Sequence, residues 1–285
     1  MGVDLSGAAD LHCHFGPDAH RARSVSALEA AREAAAAGHA AIVLKSHDYP
    51  TPPLAAMVGE VVPGLQIFGG ICCDREVGGV NPAAVETALL LGAKIVWMPT
   101  LSSRQDFRNG VAAKLNIPGP GLSVVDEKGR LTGEALSVME LVAAHNAVLA
   151  TGHVSAREHL ALAEAFSGAL LVTHAREDLA GPNLTVDQCV ELADLGANIE
   201  LCAMTCIGAL ATRSVEEMAD CARAVGPDRC TIATDYGQAA NPHPAAGLQA
   251  FADALLEAGL DENEIRTMAC HKPCELLGIT SPLSR

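Results

Sequence analysis

The sequence predicts a single (β/α)8 barrel. Eight short, nearly continuous apolar runs alternate with longer segments that carry helix caps, and 285 residues is close to the usual size of such a barrel. The apolar runs lie at residues 9–12, 41–45, 66–70, 94–98, 147–151, 169–173, 198–201 and 230–234. Uninterrupted apolar character, without alternation, is what parallel strands buried on both faces require. An open doubly wound sheet is the alternative fold, but it more often has five to seven strands. No GxGxxG or GxxxxGK[ST] motif follows any of the runs.

The intervening segments read as helices. Residues 24–38 are alanine-rich and end at Gly38. Asn81 and Pro82 open a helix that stops at Gly92. Ser155 with Glu158, and Ser214 with Glu217, form capping boxes. Residues 185–196 repeat the form, and 261–278 make a closing helix. One connection is long: residues 101–132 separate the fourth strand from its helix. They are expected to form a flap over the site, with a small hairpin turning at 127–129. The whole chain, 1–285, is read as one domain.

Composition narrows the function. Apolar residues make up 49% and charged residues 19%, which gives ample core. Aromatics are only 3% and the net charge is −15, both unfavourable for nucleic acid or an anionic membrane surface. The partner expected is a small-molecule substrate, and a homo-oligomer is expected. The opening MGVDLSGAADLHCH does not read as a secretory leader, so a cytoplasmic location is expected. The ten cysteines sit mostly within apolar runs and suit buried free thiols better than disulfides.

In a barrel of this kind the chemistry lies where strands end. The first run ends in His12-Cys13-His14, the second in Lys45-Ser46-His47, the fifth at His153, the sixth at His174, and the eighth at Asp235. His12 and His14 are two apart on a strand and share a side, so together they can bind one metal. Imidazole and carboxylate suit zinc first, with manganese, iron, cobalt and nickel as alternatives. Cys13 should face the opposite way, into the core. Glu200 could supply a further carboxylate, but its side chain is expected to point to the outer layer.

The ordered set DLHCH, ATGHVS, VTHARED and IATDYGQ resembles the amidohydrolase superfamily, and HKPCELLGI resembles its closing helix. Within it, the chain looks closest to a compact group related to phosphotriesterase-like and lactonase-like members. The resemblance implies a metal-dependent hydrolase of a C–N, ester or lactone bond in a small substrate, and the arginines near the mouth make an anionic one the expectation. It implies His12, His14, His153, His174 and Asp235 as metal ligands, with two divalent ions; Lys45 is a further ligand candidate at the end of the second run. Asp235 would also be catalytic, taking a proton from water and passing it to the leaving group. The fourth strand ends in WMPT and lacks the lysine that binuclear members carboxylate there. Lys45 is therefore expected to carry the bridging carbamate. His47, Arg104, Gln238, Arg21 and Tyr236 are the substrate-binding candidates, with Arg23, Arg108, Arg176, Asn241 and Tyr49 also near the mouth. The alternative function is a one-metal decarboxylase or other lyase of the same superfamily.

Overall fold

The computed structural model describes residues 2–280; Met1 and 281–285, the ends of the expected domain, lie outside the described residues. Eight parallel strands run in sequence order round a nearly closed barrel. They are β1 (Ala9–His14), β2 (Ala41–Lys45), β3 (Gln66–Cys72), β4 (Ala93–Trp97), β5 (Val148–Ala150), β6 (Leu170–Val172), β7 (Asn198–Cys202) and β8 (Cys230–Ala233). The first outer helices are α1 (Ala27–Ala36), α2 (Pro52–Val61) and α3 (Pro82–Leu90). After β4 come α4 (Arg104–Arg108), α5 (Val111–Lys114) and α6 (Gly133–Ala144). The remainder are α7 (Ala156–Ala165), α8 (Val186–Asp194), α9 (Ala203–Cys206), α10 (Val215–Val225), α11 (Pro244–Glu257), α12 (Glu262–Arg266) and α13 (Lys272–Leu277). No helix of the described residues is long and apolar enough to cross a membrane.

The caps fall close to where the residue types place them. Capping boxes at Ser155 and Ser214 form as expected. The first helix starts later than residue 24, because Ser26 and Glu29 make the capping box. The closing run is helical over its length but changes pitch: Thr267–His271 is a π-helix. Pro273, two residues beyond it, cannot donate to a carbonyl one turn back, which suits the widened turn. The ten cysteines are free, nine of them buried and Cys206 half-buried.

The barrel interior is plugged at its N-terminal end. Leu11, Val43, Ile95, Trp97, Val148 and Ala150 pack together with Cys274 and Leu277 of α13. The C-terminal end is polar, and the difference begins in β1. Asp10 pairs with Ile42, but Cys13 pairs with Leu44, so β1 carries one residue more than β2 across this stretch. That bulge breaks the alternation of sides. Leu11 belongs to the interior plug, Cys13 to the outer layer with Ala27 and Leu44, and His12 and His14 face the mouth. The Asp10 carboxylate secures the bulge and the seam with β8. Its Oδ1 accepts from the backbone N–H of His12 (3.0 Å) and Thr234 (3.1 Å), and its Oδ2 from the Thr234 hydroxyl (2.5 Å). Two further bonds close the seam: Asp235 N to the His12 carbonyl (3.0 Å) and His14 N to the Tyr236 carbonyl (2.8 Å). Gly237 follows at φ 136°, where a Cβ would sit 2.2 Å from the His14 carbonyl oxygen, so only glycine fits. Two mouth residues that are not glycine also take positive φ: His174 at 25° and Asp235 at 53°.

The long connection does not form one flap over the mouth. Its first part, with Leu101 and Asp106, reaches the mouth. The hairpin is present, with Val125 bridged antiparallel to Leu131, but it packs down the side of the barrel on α7. Glu158 of α7 accepts from the Ser123 hydroxyl (2.5 Å) and the Val124 N–H (3.0 Å), and buried Val124 joins the outer core. The pull of an apolar side chain and a buried carboxylate draws the hairpin outward.

Asp10→Ala would leave two buried backbone donors without an acceptor and the Thr234 hydroxyl with only the His12 carbonyl, at 3.4 Å. At about 1–3 kcal/mol for each stranded group, the variant should lose several kcal/mol of stability, read by urea denaturation. A loss below about 1 kcal/mol would show that the seam does not depend on Asp10.

Candidate metal centre

Five buried imidazoles meet at the mouth with two carboxylates and an amine. His12 and His14 arrive from β1, Lys45 from the end of β2 and His47 just beyond it. His153, His174 and Asp235 follow β5, β6 and β8, and Glu200 stands within β7. Asp235 Oδ1 lies 3.2 Å from His12 Nε2 and 3.1 Å from His14 Nε2. These three residues present donor atoms within 4.8 Å of one another. On the opposite side, His153 Nε2 and His174 Nε2 are 2.9 Å apart. The His12 and His174 rings stack at 5.8 Å between centroids, and His14 and His47 at 4.9 Å.

Most of these rings are oriented from behind. His12 Nδ1 donates to Glu200 Oε2 (3.0 Å), which also accepts the His174 N–H (3.0 Å). Glu200 therefore points inward, contrary to the expectation that it faces the outer layer. Its place on β7 matches the inward side, and His12 supplies the partner that pays for its burial. His153 Nδ1 is 2.6 Å from Asp106 Oδ2, and Asp106 Oδ1 accepts from Gly181 N (2.8 Å). His47 Nδ1 donates to Thr100 Oγ1 (2.7 Å), whose hydroxyl in turn donates to Asp74 Oδ2. A donor bond at Nδ1 leaves Nε2 as a bare lone pair, the arrangement of a metal-ligating histidine.

The charges agree with that reading. Burial holds His14, His47, His153 and His174 well below the ordinary imidazole range, so they are neutral donors. Burial opposes the charge on Asp235, but His12 and His14 outweigh it and keep its carboxyl well below the usual range. For His12, burial and Lys45 disfavour the cation, and Asp235 and Glu200 more than offset them. Burial pushes Asp106 up to about 8. A cation on His153 Nε2 would act against that rise by favouring the carboxylate.

The donor set fits a divalent ion. His153 Nε2 and His174 Nε2 face each other across 2.9 Å, and His174 Nδ1 and Glu200 Oε1 are buried without a partner. A buried carboxylate oxygen without a partner is costly when dry and a nearby cation relieves it, while the two facing Nε2 atoms are the donors for such an ion. One contact requires adjustment. Arg23 Nη2 lies 3.3 Å from His14 Nδ1, so in this arrangement the His14 proton is on Nε2, facing Asp235. Ligation through Nε2 places that proton on Nδ1.

All six predicted ligands come together. Of the substrate candidates, His47, Arg21 and Gln238 line a small cavity of about 40 Å³ over the centre. Arg104 does not: it is exposed, and its backbone N–H is bound to the Leu122 carbonyl. The residue of that helix that reaches the centre is Asp106. Tyr236 also lies outside the cavity, since its ring covers Gly247 and its hydroxyl donates to the Ile207 carbonyl (2.7 Å). Tyr49 packs on Phe15, Arg108 is exposed, Arg176 is turned to the Leu184 carbonyl, and Asn241 donates to Gln238 Oε1. Asp106 and Asp74 were missed; Asp74, two residues past the end of β3, carried the same positional signal as Asp235.

The chain belongs to a family of unknown function, DUF6282, whose model matches residues 7–200. No curated protein matches the sequence. Solved structures share its fold at low identity. An amidohydrolase from Pseudomonas aeruginosa has a TM-score of 0.65 and 13% identity over 95% of both chains. The probable dipeptidase PvdM from the same organism has a TM-score of 0.69 and 10% identity over 95% of this chain and 94% of that one. A 2,6-dihydroxybenzoate decarboxylase from Rhizobium has a TM-score of 0.53 and 12% identity over 96% of this chain and 99% of that one. What the chain shares with these structures is the barrel fold.

Replacing His12 and His14 together by alanine should abolish binding of the divalent ion they share with Asp235, read by metal analysis after dialysis. Asp106→Asn should weaken the ion on His153 about 10–100-fold in competition with a chelator, because it removes the carboxylate charge behind the ring. Unchanged metal affinity in both variants would remove these histidines from the centre.

Proposed function

We propose that this DUF6282 member is a metal-dependent hydrolase acting on a C–N, ester or lactone bond of a small anionic substrate. The convergence of five buried imidazoles with ionised Asp235, at the end of the barrel where strands finish, carries the reading. One divalent ion would be held by His12, His14 and Asp235, and a second by His153 and His174. Zinc suits these ligands, as do manganese, iron, cobalt and nickel. When bound, such ions supply a polarising charge for the scissile carbonyl and an acidified water.

The remaining roles belong to the chain itself. Asp235 is ionised and stands against both histidines of β1. It accepts the proton that water gives up and returns it to the leaving group. Arg21 and Gln238 line the cavity and orient the substrate. His47, backed by Thr100 and Asp74, presents Nε2 to the same space.

Lys45 is assigned the bridge. It is 1% exposed, its Nζ is 2.9 Å from His12 Nε2, and no ion pair of the described residues includes it. A buried ammonium without a counter-charge is costly. Addition of its neutral amine to carbon dioxide, with loss of a proton, replaces that cation by a carbamate anion suited to lie between two ions.

The test combines stoichiometry with turnover. The loaded protein should hold two ions and hydrolyse members of a panel of lactones and amides. A chelator should abolish turnover and zinc restore it. Lys45→Ala should hold one ion and lose roughly 100-fold or more of the activity. Loaded protein that shows no carbamate signal with isotopically labelled bicarbonate, and a Lys45→Ala variant that still binds two ions, would remove the bridge. Carbon dioxide release from an acid substrate by a one-ion protein would replace the hydrolase with a lyase.

A further inference from the structure

The loop between β1 and α1 delivers a guanidinium to the cavity that no ligand role uses. Arg23 is gripped by Asp18, whose Oδ2 accepts from Arg23 Nε (2.8 Å) and Nη2 (2.6 Å). Asp18 is itself fixed, since its Oδ1 accepts the backbone N–H groups of His20 and Arg21, both at 2.8 Å. Both side chains are almost wholly covered, at 3% and 4% exposure. The loop is tied to the segment after β8 by a bridge between Arg23 and Gln238. The guanidinium is therefore held in place before any substrate arrives.

Its hydrogen-bonding capacity is not used up. Nε and Nη2 are committed to Asp18, and Nη2 also lies 3.3 Å from His14 Nδ1, but Nη1 is buried with no partner. A charged donor stranded in this way costs more than a neutral one, and an anionic acceptor relieves it. Arg23 lines the cavity together with Arg21 and Lys45. Asp18 balances Arg23, and no ion pair of the described residues includes Arg21, so this loop retains a positive charge for an incoming anion.

Resting on the hydrolase reading, we propose that Arg23, positioned by Asp18, recognises a substrate carboxylate attached at or next to the carbon whose bond is cleaved. Proximity sets the position of that carboxylate. The guanidinium touches the outer edge of His14, whose other nitrogen faces Asp235, so the anion site and the reacting centre are separated by the width of one imidazole. A carboxylate at the far end of a longer molecule could not reach both. The fork of the guanidinium matches the two oxygens of a carboxylate. The carboxylate is a handle and not the group lost, because an ion pair that stabilises it in the ground state opposes its conversion to neutral carbon dioxide.

The experiment reads binding and needs no turnover, so it is separate from the test of hydrolysis. Zinc-loaded protein is titrated by calorimetry with lactate and with lactamide, its uncharged isostere. Wild type should prefer lactate by about tenfold or more. Arg23→Gln should bring the two affinities close to each other with its metal content unchanged, which separates recognition by the guanidinium from recognition by the ion. Asp18→Asn, which frees the guanidinium from its grip, should give an intermediate preference. Where Arg23→Gln does not fold, by circular dichroism, Arg23→Lys takes its place: it keeps the charge, loses the fork, and should lose most of the preference. A full wild-type preference in the Arg23 variant, or no preference in wild type, overturns the proposal. Tighter binding of inorganic phosphate than of lactate overturns the choice of carboxylate.

Discussion

One extra residue in the first strand governs the mouth of this barrel. In a regular strand, Leu11 and His12 would face opposite sides, and Ala9, Leu11 and Cys13 would share one. The bulge between Asp10 and Cys13 lets Leu11 fill the interior plug while His12 and His14 turn to the centre above it. Asp10 makes this stable by accepting the displaced His12 N–H and, with the same carboxylate, the end of β8. The seam that closes the barrel and the contact that sets Asp235 against both histidines are thus one construction. Without it, the strand could supply a core or a site, but not both.

Above that seam, electrostatics are local. The chain as a whole is strongly negative, with a net charge of −15, yet Arg21 and Arg23 stand together at one small cavity. Carboxylates lie behind the imidazoles: Glu200 behind His12, Asp106 behind His153, and Asp74 behind His47 through Thr100. This layering keeps lone pairs pointed inward and negative charge one shell further out, as a cation site requires.

The strands and the ligand set were legible because both are local. Apolar runs marked β2 at its observed bounds and the other strands within a few residues, and polar residues at strand ends marked His12, His14, His153, His174 and Asp235. The resemblance of these short motifs to a superfamily drew its strength from their order on eight strands. What stayed hidden depends on distant partners. Arg104 and Asp106 sit in the same helical turn, and only the approach of His153 from β5 distinguishes the useful one. Glu200 looked like an outer-layer residue because its partner His12 is 188 positions away. The bulge left no mark, since DLHC reads equally well as a regular strand. The hairpin of the long connection was recognised by its turn, but its seat on α7 depends on Glu158, which the sequence offered only as a capping residue.

His174 and Asp235 leave their strands at positive φ, a region most side chains avoid. Besides glycine, the residues that tolerate it best are asparagine, aspartate and histidine. Two of these are also metal ligands, so chain conformation and coordination chemistry draw on the same short list at both positions. Glutamate in place of Asp235 would keep the charge and oppose the backbone, and glycine would ease the backbone and remove the donor. The vocabulary of these two sites is therefore narrower than either requirement alone would make it, and a drift in substrate preference has to be written elsewhere, in the loops that carry Arg21, Arg23 and Gln238.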